Sequence, residues 1–129
     1  MSTILRHLVI AATLATALLS APALAQELTG TLKKIKESGV ITLGHRESSI
    51  PFSYYDDKQQ VVGYSQDMML KAVEAIKAEL KLARLDIKLV PVTSENRITL
   101  VQNGTVDIEC GSTTNTTERQ KQVSFSDSI

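Results

Sequence analysis

What most constrains this chain is the way helical periods separate its short apolar runs. Val40–Gly44 (VITLG), Leu85–Val92 (LDIKLVPV) and Val106–Cys110 (VDIEC) have strand character, because aliphatic and β-branched residues in short runs suit a pleated surface. Between the first two, Met69, Val73, Ile76 and Leu80 recur at helical intervals on one face. Between the last two, Ile98 and Val101, with Leu100, face inward from a second helix that starts in Thr93–Asn96 and closes at Asn103-Gly104. Strands separated by helices are joined by crossovers, and crossovers favour a mainly parallel sheet flanked by helices.

The remaining elements fit around that frame. Residues 29–38 (TGTLKKIKES) predict a short basic helix with Leu32 and Ile35 inward and Gly39 at its end. Residues 45–49 read as a polar loop. Tyr54–Lys58 and Val61–Tyr64 read as the arms of a hairpin. Ser65 is placed to cap the helix that carries Met69. Pro91 implies that its strand lies at a sheet edge or that it is the last hydrogen-bonded residue. Asn115 and Glu118 have the spacing of a capping box for one more short helix, and Val123–Ser126 (VSFS) predicts a final strand. No internal repeat interrupts this order.

The N-terminus has a different character. Arg6 and His7 precede the apolar stretch Leu8–Leu19 (LVIAATLATALL), Ser20 and Pro22 break it, and Ala23-Leu24-Ala25 gives a small-x-small cleavage pattern. The apolar stretch is shorter than the roughly 20 residues that span a bilayer. Residues 1–25 therefore predict a cleaved secretory signal, and residues 26–129 one small domain. The expected destination is outside the cytoplasm.

Composition narrows the function. The chain has 14 basic and 14 acidic residues, one of them Arg6 in the leader, and no Trp. That balance lacks the basic face a nucleic-acid partner requires. Cys110 is the one cysteine, expected to be buried and inert at the end of its strand rather than paired. With His45 the sole histidine after the leader, no metal site is expected. No phosphate loop or nucleophile–base set stands out, so neither a cofactor nor a catalytic residue is expected. Glu47 and Glu109 are the acidic groups nearest the strand ends.

Arginine placement carries the chemistry. In an open α/β sheet, ligands bind beyond the carboxyl ends of the strands. Here those ends are the loops at 45–49, 93–97 and 111–119. Arg46, Arg97 and Arg119 fall in or beside them, accompanied by Ser94, Ser112, Thr114 and other hydroxyl residues. Taken singly, an arginine near a helix start is ordinarily a solvated surface residue. Three in one crevice would repel one another until an anion arrived. A guanidinium fork matches a carboxylate with two charge-assisted hydrogen bonds, so a ligand with two separated carboxylates suits the set better than a neutral amino acid.

The runs Gly44–Tyr54 (GHRESSIPFSY), Val62–Asp67 (VGYSQD), Thr93–Arg97 (TSENR), Gln102–Thr105 (QNGT), Glu109–Asn115 (ECGSTTN) and Thr117–Lys121 (TERQK) with Phe125-Ser126 resemble the polar amino acid binding proteins of ABC importers. Within that family they look most like the glutamate/aspartate-binding members. The resemblance implies the first lobe of a type II periplasmic-binding-protein fold. It implies a monomer that captures glutamate or aspartate and delivers it to an ABC permease in the inner membrane. It also implies roles: Arg119, Thr114 and Ser112 for the α-carboxylate, and Arg46, Arg97 and Ser94 for the side-chain carboxylate. His45 is expected to pack rather than touch ligand. Family members have two lobes, and this chain ends where the crossover to the second would begin. A truncated lobe, binding weakly or not at all by itself, is the expectation. Two rivals of the same fold are an exported dehydratase-like enzyme and an extracytoplasmic sensor lobe.

Overall fold

The computed structural model describes residues 27–127. The secretory signal expected over residues 1–25 lies outside them. The elements run α1 (Gly30–Ser38), β1 (Val40–His45), β2 (Ser48–Ser49), β3 (Ser53–Tyr55), β4 (Val61–Val62), α2 (Tyr64–Glu79), β5 (Asp86–Pro91), α3 (Arg97–Gln102), β6 (Ile108–Glu109) and α4 (Thr117–Gln120). They form two three-stranded sheets, β5-β1-β6 and β2-β3-β4.

The first sheet is parallel throughout. Val40 to His45 pair in register with Asp86 to Pro91, and Leu43 and Gly44 pair with Ile108 and Glu109 on the other side. β1 is therefore central, which explains why Ile41 and Leu43 are fully buried. Ile35 of α1, Met69 and Val73 of α2, and Leu80 just beyond it close the core around them, with Ile76 packed at its margin. Thus the helical spacing of Met69, Val73, Ile76 and Leu80 translates directly into one buried face. Pro91 ends an edge strand, where its missing N–H costs no ladder bond. Gly39 terminates α1 in the left-handed conformation, its N–H donating to the Ile35 carbonyl.

Several expectations need correction. Leu32 does not face inward but is 38% exposed; Ile35 is the one residue that α1 buries. The polar loop at 45–49 contains β2, which pairs antiparallel with β3 and extends the hairpin to a small sheet. Thr93–Asn96 forms a side-chain-bonded turn before α3: the Thr93 N–H donates to Asn96 Oδ1, and Thr93 Oγ1 accepts from the N–H groups of Glu95 and Asn96. On α3, Ile98, Leu100 and Val101 are half-buried, and Arg97 is the buried residue. The cap of α4 is Thr116, which accepts from the Arg119 N–H, rather than an Asn115/Glu118 box. Val123–Ser126 forms no strand, since no partner strand among the described residues lies beside it. Cys110 is half-buried against the core and unpaired.

Candidate functional site

Parallel pairing sends the loops after β1, β5 and β6 off the same edge of the sheet. His45 is in register with Pro91, and Gly44 with Glu109, so Arg46, the Thr93–Arg97 turn and the Gly111–Arg119 segment all emerge at the carboxyl ends. Each arginine is fixed differently. The Arg46 backbone is clamped to the hairpin: its N–H donates to Ser53 Oγ at 3.0 Å, and the same hydroxyl donates to the Arg46 carbonyl at 2.9 Å. Ser53 is fully buried, so the anchor is rigid. His45, 2% exposed, packs edge-on against Tyr55. It is a packed residue, as its sequence setting suggests.

Arg97 is the unusual member. It opens α3 yet is 5% exposed. Its Nε and Nη1 have no hydrogen-bond partner among the described residues. Burial lowers its guanidinium from the ordinary arginine value; the Glu109 carboxylate opposes that shift, Arg46 and Arg119 deepen it, and Glu95 opposes it weakly. The charges of Arg46 and Arg119 are thus both felt at Arg97. Glu95 is held below the usual carboxylate range, first by its hydrogen bonding with Thr93 and its own backbone, then by Arg46 and Arg97.

Arg119, half-buried on α4, donates from Nη1 to the Thr114 carbonyl at 2.8 Å. That bond ties the helix to the preceding loop. Ser94, Ser112 and Thr114 are exposed, with their hydroxyl-bearing loops at the same edge.

Glu109 and Gly111, to which the sequence assigns no ligand role, lie within the cluster in the structure. The Glu109 side chain is 6% exposed, with Oε1 3.9 Å from Arg97 Nη1, and Thr113 Oγ1 donates to its Oε2 at 2.7 Å. The signal was present: a carboxylate inside the apolar run VDIEC needs a partner. Gly111 adjoins both sides of the site, for a Cβ there would lie 2.8 Å from Glu109 Oε1 and 3.5 Å from Arg46 Cγ.

A cleft of about 600 Å³ opens beside this cluster. Its lining includes Arg97, Glu109 and Thr113 and, among its apolar groups, Ile98, Ile108 and Phe125. Of the six candidate ligand residues only Arg97 lines it. Its lining mixes apolar and polar groups, and the positive charge is concentrated at the strand-end edge rather than over the cleft as a whole. Among the described residues no group of three or more His, Cys, Asp or Glu side chains is placed to hold a metal ion.

The parallel strands of this α/β lobe thus carry one buried and two half-buried arginines at or just beyond their carboxyl ends. Residues 41–129 match the bacterial extracellular solute-binding proteins, family 3, and the chain belongs to that family. It is 67% identical over 111 residues to the L-glutamate/L-aspartate-binding protein of Pseudomonas aeruginosa, covering 85% of this chain and 37% of that protein. It is 64% identical over 99 residues to the glutamate/aspartate import solute-binding protein of Escherichia coli, covering 77% and 33%. The chain therefore spans about a third of the length of these relatives. Among solved structures, the arginine-bound form of domain 1 from TmArgBP of T. maritima, in a point mutant, superposes with a TM-score of 0.64 at 25% identity. That match covers 74% of this chain and 69% of that one. The fold is thus the first lobe of the type II periplasmic-binding architecture expected from the resemblance.

Proposed function

We propose that residues 26–129 are the ligand-capturing first lobe of a periplasmic substrate-binding component of an ABC amino acid importer, and that the ligand is glutamate or aspartate. The observation that carries this reading is Arg97: a residue 5% exposed whose Nε and Nη1 have no hydrogen-bond partner among the described residues, at the edge it shares with Arg46 and Arg119. A buried donor without an acceptor costs about 1–3 kcal/mol, and more when charged. A carboxylate supplies that acceptor and relieves the repulsion among the three cations. In this reading Arg119, Thr114 and Ser112 take the α-carboxylate, and Arg46, Arg97 and Ser94 the side-chain carboxylate. The P. aeruginosa and E. coli relatives are named for the same two ligands.

The lobe acts by binding and delivery, not by turnover. A permease in the inner membrane is its partner, and a second lobe would close over the ligand and remove it from water. No helix among the described residues is long and apolar enough to cross a membrane. The arginine-bound domain 1 of the T. maritima protein supports a single lobe holding its ligand. We therefore expect the purified chain to bind glutamate and aspartate near the millimolar range, about 4 kcal/mol. NMR titration with glutamate, aspartate and glutamine tests this. Chemical-shift changes that saturate with the dicarboxylates and stay near baseline with glutamine are expected; equal response to glutamine would sink the three-arginine reading. Incubation with a prephenate-like substrate should give no product.

A further inference from the structure

Glu109 belongs to none of the ligand contacts proposed above, yet it is the group that faces Arg97. Its side chain is 6% exposed, and Thr113 fixes one carboxylate oxygen by the 2.7 Å hydrogen bond. The other oxygen, Oε1, stands 3.9 Å from Arg97 Nη1. That distance is too long for a hydrogen bond but short for two opposite charges shielded from water. Nε and Nη1 of Arg97 and Oε1 of Glu109 are all buried without partners among the described residues. A carboxylate bonded directly to Arg97 would occupy the donors that a ligand needs. This one attracts the guanidinium without occupying them.

We propose that Glu109 is a positioning residue: its buried carboxylate, anchored by Thr113, orients the Arg97 guanidinium by charge and leaves Nε and Nη1 free for the ligand's side-chain carboxylate. The inference rests on the proposed role of Arg97. Gly111 completes the device. A Cβ at that position would come within 2.8 Å of Oε1, so a side chain there would displace the carboxylate from its stand-off. Glu109 also offsets one of three guanidinium charges, which limits the repulsion that Arg46 and Arg119 exert on Arg97 when no ligand is present.

The test uses the full chain and the variants Glu109→Gln, Thr113→Val, Arg97→Ala and the Arg97→Ala/Glu109→Gln double, each titrated by NMR with glutamate, aspartate and glutamine. Thermal unfolding is recorded in parallel. Glu109→Gln keeps the shape and an acceptor for Thr113 but removes the charge. It should weaken the dicarboxylates about tenfold and glutamine by less than about threefold, the scale of coupling between contacting groups. Thr113→Val should shift selectivity the same way by a smaller factor. In the Arg97→Ala background Glu109→Gln should add no further loss, since Glu109 acts through Arg97. Equal losses for glutamate and glutamine, additive losses in the double variant, or unchanged selectivity in the single variants would overturn the proposal. If Glu109→Gln does not fold, Thr113→Val decides by the same criterion. A parent chain that binds no dicarboxylate overturns the ligand reading and this inference together; a parent that binds, with selectivity indifferent to both substitutions, overturns only the role of Glu109.

Discussion

Lys34 and Asp107, 73 residues apart in sequence, form an ion pair at 2.8 Å in which the lysine is half exposed and the aspartate side chain only 2% exposed. Asp107 does more than answer a charge. Its Oδ2 accepts from the Thr42 N–H at 2.9 Å, and its own N–H donates to the Thr42 carbonyl. Lys34 in turn donates to the Gly104 carbonyl. One carboxylate therefore joins α1, the central strand β1 and the start of β6, the strand that carries Glu109.

Asp107→Ala should accordingly destabilise the lobe by about 2–4 kcal/mol, since it strands a buried backbone N–H and a lysine at once. Lys34→Met should cost less, about 1 kcal/mol, because Asp107 keeps its bond to Thr42 and the lysine head is partly solvated. Urea unfolding followed by circular dichroism measures both. Equal costs for the two substitutions would show that the backbone bond contributes nothing.

The packing beneath the site makes a second demand. A Cβ on Gly44 would meet Val106 Cγ1 at 3.0 Å, Val92 Cγ1 at 3.2 Å and Glu109 Cγ at 3.4 Å. All three neighbours are side chains on or beside the strands flanking β1, so relief requires moving several together. Gly44→Ala should cost about 1–3 kcal/mol, the range for overpacking a filled interior. Because Glu109 is among the neighbours, dicarboxylate selectivity should fall along with the melting temperature. A variant of parental stability would mean that the strands yield more easily than their pairing suggests.

Much of this arrangement was legible in the residues, and the parts that were not share a cause. Helical spacing located α2 and its buried face, and helices between strands implied the parallel sheet, because both follow from periodicity within a continuous segment. The shared edge of Arg46, Arg97 and Arg119 followed from that topology. What periodicity does not encode is which neighbour covers a residue. Leu32 has the helical spacing of an inward residue of α1 but is left 38% exposed. Arg97 looks like a surface residue at a helix start but is buried against Glu109. Likewise VSFS has strand composition but no paired neighbour among the described residues. The cap of α4 was misplaced by one residue because Asn115 and Thr116 are both good caps, and only the backbone path selects between them.

The two proposed carboxylate subsites should separate by mutation. Arg119→Ala removes the contact for the group every amino acid carries, so glutamate, aspartate and glutamine should all weaken, by about 1.5–3 kcal/mol for a charge-assisted contact. Arg97→Ala should weaken the dicarboxylates by a similar amount and leave glutamine nearly unchanged. Titrations of the two variants against the same three ligands provide the comparison. Matching profiles for the two variants would contradict the assignment of separate subsites.

The proposed role of Arg119 also depends on contacts within its own segment. Its helix, α4, is only Thr117–Gln120, too short to hold itself in water. Three side-chain bonds to the preceding loop secure it: Thr116 Oγ1 accepts from the Arg119 N–H at 3.3 Å, Arg119 Nη1 donates to the Thr114 carbonyl at 2.8 Å, and Gln120 Nε2 donates to Asn115 Oδ1 at 2.8 Å. Thr116→Ala removes the cap, and caps of this kind contribute about 1 kcal/mol. Because α4 adds no buried residue to the core, global unfolding should shift by less than that. The loss should appear locally, as faster amide exchange over Thr117–Gln120 and as weaker binding of all three ligands through Arg119. Thr116→Ser keeps an acceptor and should preserve both properties. If Thr116→Ala speeds exchange but leaves binding intact, Arg119 reaches its ligand from a frayed segment and does not require the helix.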